Sequence, residues 1–100
     1  METNVESIIV EFNNKAAAIY GALSDQLVHS VFAVNRREDD NVFRLQAAKY
    51  ISVLKERLEE EARKILNEHS TKNFYKQLNT TLPTHINYYL QEFRNKINSL

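Results

Sequence analysis

Apolar residues recur at alternating steps of three and four along the first third of the chain: Val5, Ile8, Ile9, Phe12, Ala16, Ile19, Tyr20, Leu23, Leu27, Val31 and Val34. That spacing keeps them on one face of a 3.6-residue helix. It predicts a first helix from about Thr3, a candidate N-cap, to about Val34. A second, thinner ridge follows Val10, Ala17, Gly21, Val28 and Phe32, about 120° around the same helix. Glu6, Asn13 and Ser24 fill the gap between the two, and Glu11, Asn14, Lys15 and Asp25 occupy the outer arc. A helix with two apolar faces needs two neighbours, so this one is expected at the centre of the molecule.

The polar stretch Asn35-Arg36-Arg37-Glu38-Asp39-Asp40-Asn41 breaks the pattern. Asp39 or Asp40 is a candidate cap for the next helix, where a carboxylate also suits the N-terminal dipole. The second helix is predicted from about Val42 to Glu68. Its stripe is Phe43, Ala47, Tyr50, Leu54, Leu58, Ala62 and Ile65, flanked by Ile51 and Leu66. Its back is charged, with Glu59–Arg63 and Glu60–Lys64 spaced for i,i+4 pairs of about 0.2–0.5 kcal/mol each. Ser70 or Thr71 is the next cap candidate. Phe74, Tyr75, Leu78 and Leu82 then suggest a short helix, and Ile86, Tyr89, Leu90, Phe93, Ile97 and Leu100 a last one. Pro83 stands between them, and its missing N–H and ring clash predict a break there.

These elements predict an all-α fold: an elongated antiparallel bundle of three long segments, coiled-coil-like in its spacing, with the last segment broken near Pro83, as one kinked helix or as two, for three or four helices in all. Residues 1–100 are read as one domain, since a chain of this length supports a single core. A 30-residue helix is about 45 Å long, against a radius of gyration of about 13 Å for a compact chain of this size, so the bundle should be rod-like. One glycine and one proline in 100 residues argue against a sheet protein, which needs turn residues often.

Composition removes several function classes. There is no cysteine, hence no disulfide, thiol catalysis or thiolate zinc site. A single glycine excludes phosphate-cradling loops and the nucleophile elbow. Met1 to Asn4 carry no basic signal-peptide region, and no apolar run approaches the ~18–20 residues of a membrane span. A cytoplasmic location is therefore expected. The charge balances overall, so no global field selects nucleic acid. It is unevenly spread, however. Residues 1–34 carry Lys15 against Glu2, Glu6, Glu11 and Asp25, a net −3, and residues 70–100 carry Lys72, Lys76, Arg94 and Lys96 against Glu92, a net +3. Opposite ends of that kind suit side-by-side packing of the first and last helices.

Three patterns bear on chemistry. Asp25 and His29 lie four apart and could share a cation, but the Glu-x-x-His pairs of di-iron bundles are absent, and a solvated pair is the expectation. Aromatic and basic residues interleave late, in Lys72, Phe74, Tyr75, Lys76 and again in Tyr88, Tyr89, Phe93, Arg94, Lys96. Stacking and charge together would suit single-stranded nucleic acid, although Phe74, Tyr89 and Phe93 fall on the core stripe. Arg63 and His69 form an Arg-x5-His spacing that resembles the signature of the HEPN helical ribonucleases. The resemblance covers these two residues. It implies an Arg and a His meeting those of a second subunit on an RNA phosphate, with His69 helping proton transfer.

The leading expectation is a non-enzymatic protein–protein interaction module: a small adaptor, regulator or complex subunit acting through helix–helix contacts, as a homodimer or with a protein partner. Its interface residues would be Val10, Ala17, Gly21, Val28 and Phe32. No catalytic, cofactor-binding or metal-binding residue is assigned. The alternatives are a nucleic-acid-binding helical protein using the basic C-terminal segment, and a HEPN-like ribonuclease using Arg63 and His69.

Overall fold

A computed structural model describes residues 4–33 and 40–99. It contains α1 (Val5–Ala33), α2 (Asp40–Glu68) and α3 (Tyr75–Ser99), and each helix packs against the other two. The molecule measures 54 × 20 × 17 Å with a radius of gyration of 16.1 Å, the rod expected from helix length. Cross-helix partners set the directions. Lys15 meets Glu61 and Ser30 meets Tyr50, so α1 and α2 are antiparallel. Tyr89 reaches Asn13 while Phe93 meets Tyr20, so α3 runs parallel to α1 in an up-down-up order.

Asn4 begins α1. Its Oδ1 accepts from the Ser7 N–H at 2.8 Å, and its own N–H donates to Ser7 Oγ at 3.2 Å. This reciprocal pair satisfies the donors that a helix start leaves open. The expected cap, Thr3, lies outside the described residues, as do Val34 and Asp39. The α1 stripe faces inward, with Ile8, Phe12, Ala16, Leu23 and Leu27 buried and Val5, Ile9, Ile19 and Tyr20 packed against them. All seven stripe positions of α2 join the core, Tyr50 among its partly buried members. On the back of α2, Glu60 meets Lys64 at 3.9 Å as its spacing predicts, but Glu59 meets Lys55 at 3.9 Å rather than Arg63.

Two expectations about the last third are corrected. Ser70 and Thr71 do not cap α3. They lie in a tight turn closed by Lys72 N–H to His69 C=O and Tyr75 N–H to Lys72 C=O, and the helix begins at Tyr75. Nor does Pro83 divide the segment: α3 is one helix of 25 residues with the proline inside it. The proline removes the donor that the Asn79 carbonyl would use. Both residues are exposed, so water can fill that place. Leu78, Leu82, Ile86 and Leu90 are buried on both sides of it. Packing along the whole stripe outweighs the local cost of about 3 kcal/mol.

Candidate functional site

The outer face between α1 and α3 carries most of the interface residues read from the sequence. Val10 is 58% exposed, Ala17 is exposed, and Gly21 and Val28 are half-buried. A Cβ built on Gly21 would meet nothing within 4 Å, so no helix of this chain comes close there. The Phe32 side chain lies outside the described residues. The third helix thus leaves the Val10–Ala17 part of the ridge open.

Helix geometry says what stands beside that ridge. Val10, Ala17, Gly21 and Val28 lie about 40–80° around α1 from Asn13. Asn13 lines one wall of an open groove of about 520 Å³, whose other wall is Thr84, His85, Tyr88 and Tyr89 of α3. Tyr88 is 59% exposed, and its ring meets Tyr89 edge-on at 5.4 Å and 79°. Of the large hydrophobics exposed among the described residues, Tyr88 lines this groove and Val10 lies on the α1 face beside it, about 60° around from Asn13. Tyr88 and His85, which line this groove, were not among the interface candidates read from the sequence. The available signal was that Tyr88 falls off the buried stripe of α3.

The groove floor is held by Tyr89. Its hydroxyl donates to the Asn13 backbone carbonyl at 3.2 Å and lies 3.4 Å from Asn13 Oδ1. Its ring packs on Tyr20 at 6.1 Å, and Tyr20 in turn meets Phe93 edge-on at 5.8 Å. Aromatic packing rather than the −3/+3 charge difference is what binds α1 to α3 at this level. Burial raises the Tyr89 phenol above its ordinary 10.0, and the neighbouring Tyr88 adds to the shift. Below about pH 10 both folded and unfolded chains keep the proton, and stability does not change with pH through this group. Above it the unfolded chain loses the proton first, and stability falls as pH rises through the folded value. Tyr89→Phe should therefore lose about 0.5–1.5 kcal/mol at neutral pH. It should also show a shallower loss of Tm above about pH 10 than the wild type. Thermal melts followed by circular dichroism at both pH values check this.

Arg63 and His69 occupy different settings. Arg63 is exposed on the rim of the α2–α3 groove, above Leu66, Leu82 and Ile86. His69 follows the end of α2, donates its N–H to the Ile65 carbonyl at 3.2 Å and lays its ring on Phe74 at 5.9 Å. Of the late aromatics, Phe93 is buried and Tyr89 is tied to Asn13, while Lys72, Lys76 and Arg94 are exposed. His29 Nδ1 donates to the Asp25 backbone carbonyl at 2.7 Å, a local helix contact that does not use the Asp25 carboxylate. Among the described residues no group of three His, Asp or Glu side chains could hold a metal ion, and no helix is long and apolar enough to cross a membrane.

The chain matches no protein-family model, no curated protein and no solved structure. Its class rests on its own geometry: an elongated three-helix bundle with an open apolar groove between its two parallel helices.

Proposed function

We propose that this protein is a non-enzymatic interaction module that binds through the α1–α3 face, most simply to a second copy of itself. The observation that carries the reading is the exposure of two large apolar side chains, Tyr88 in the lining of the α1–α3 groove and Val10 on the α1 face about 60° around from Asn13 of that groove. Ala17 and Gly21 lie on the same side of α1 and present no bulk to an approaching helix. Self-association has a further support in charge. The acidic first helix and the basic last segment meet favourably when two copies pair with exchanged faces, because a two-fold interface brings each surface against the other. A cysteine-free chain suits a reducing compartment, and the proposal includes a cytoplasmic location.

The test is solution mass, by light scattering on a sizing column across a wide concentration range. A dimer that Ala17→Glu or Val28→Asp converts to monomer, with helix content unchanged, is the expected result. Both substitutions place a carboxylate where an apolar seam would have to desolvate it. A wild-type monomer at every concentration would sink the self-association reading. Loss of helix in both variants would place the ridge in the folding core instead.

A further inference from the structure

The groove between α1 and α2 is built differently from the one just described, and it lies on the opposite side of α1, about 180° from the Val10–Val28 ridge. It encloses about 340 Å³, and its lining mixes apolar Leu23 and Val53 with polar side chains: Gln26 and Ser30 from α1, and Gln46, Lys49, Tyr50 and Arg57 from α2. Among the described residues no carboxylate lines it. Among the described residues neither Lys49 nor Arg57 has an ion-pair partner. Of the neighbouring carboxylates on α2, Glu60 pairs with Lys64 and Glu61 with Lys15 and Lys64, while Glu56 is exposed beside Arg57 and is not part of the groove lining. Two cations on one helix therefore border a groove whose lining, among the described residues, carries no counter-charge. They are two turns apart, about 12 Å along the axis, and their flexible stems allow both heads to meet above Val53 between them.

The groove also holds acceptors in want of donors. Gln46 Oε1 is shut off from solvent and has no hydrogen-bond partner, a state that costs about 1–3 kcal/mol. Ser30 Oγ donates to the Gln26 carbonyl at 3.0 Å. In its 3.0 Å contact with Tyr50 the tyrosine hydroxyl must then be the donor, which leaves the Tyr50 oxygen free to accept. A bare anion would satisfy the two cations and leave the acceptors unfilled. A neutral polyol would do the reverse. The volume falls at the small end of ligand pockets, which run from about 300 to 1,000 Å³.

We propose that the α1–α2 groove binds a sugar phosphate, with the phosphate between Lys49 and Arg57 and the sugar hydroxyls donating to the Tyr50 oxygen and, once the Gln46 side chain rotates into the groove, to its Oε1. The probe is ribose 5-phosphate, titrated into the isotope-labelled full chain and followed by amide chemical shifts. Saturable shifts at Ser30, Gln46, Lys49 and Arg57 are expected at millimolar concentration or below. Inorganic phosphate should bind about tenfold more weakly, and ribose should leave the spectrum unchanged. The Lys49→Ala, Arg57→Ala double variant alters two exposed positions, so its helix content should persist while affinity drops at least about tenfold. Gln46→Leu should weaken ribose 5-phosphate and leave inorganic phosphate binding as it was. The proposal is overturned by unsaturable shifts, by shifts spread over Lys72, Lys76 and Lys96, by equal affinity for inorganic phosphate, or by wild-type affinity in the double variant.

Discussion

Replacing Phe93 with alanine is expected to remove about 3–5 kcal/mol of stability and to lower Tm by about 15 °C or more. Phe93 is fully buried and stands edge-on to Tyr20 across the α1–α3 junction. Truncation removes the apolar transfer energy of the ring and leaves a cavity that neighbouring helices can only partly close. It also removes an edge-to-face pair worth about 0.5–1.5 kcal/mol. A domain of this size has about 5–15 kcal/mol in total, so the variant should be marginal at 37 °C. Urea unfolding followed at the helix signal measures the change. A loss under about 1 kcal/mol would mean that α3 is not seated against α1 through this ring.

Pro83→Ala should act in the opposite direction, raising stability by about 1–2 kcal/mol. Alanine restores an N–H for the Asn79 carbonyl and relieves a ring clash, together worth up to about 3 kcal/mol in a helix interior. Part of that is offset because the unfolded chain regains about 0.4–1 kcal/mol of entropy without the proline. The position is exposed and the helix already continues through it, so no rearrangement is required. The ring also lines the α2–α3 groove beside Leu66, Leu82 and Ile86. A neutral or destabilising result in the same urea experiment would show that this packing outweighs the backbone cost.

How far the pattern of side chains could be read depends on what each prediction rests on. The buried stripe of α2, from Phe43 to Ile65, was legible because periodicity and burial answer to the same requirement, the removal of apolar surface from water. Pro83 left one helix or two open, because local propensity argues for a break while the six buried residues of α3 around it hold a single helix together. The start of α3 at Tyr75 could not be read from Ser70 and Thr71, since cap-type residues also favour turns, and here the turn uses them. Ser24 was taken as gap-filling between two ridges, yet it is 2% exposed with an unpartnered hydroxyl. Its burial depends on how the helices pack around it, which no periodicity on α1 reports. The open Val10–Ala17 ridge was visible as a second apolar line. Its pairing with Tyr88 was not, because that depends on the rotational setting of two helices separated by some 70 residues.

The bond from Tyr89 to Asn13 spans 76 residues, whereas that between Ser30 and Tyr50 spans 20. Closing the longer loop costs about 1 kcal/mol more chain entropy, and contacts between distant segments form late in folding. The α1–α2 hairpin is thus the natural first unit, and α3 the element that arrives to complete it. The groove with Tyr88 on its shoulder does not exist until that last docking step. A chain that stalls as a hairpin exposes the α1 ridge but lacks the opposite wall. Recognition that requires both walls would then discriminate finished molecules from unfinished ones, so that assembly itself acts as a checkpoint on folding.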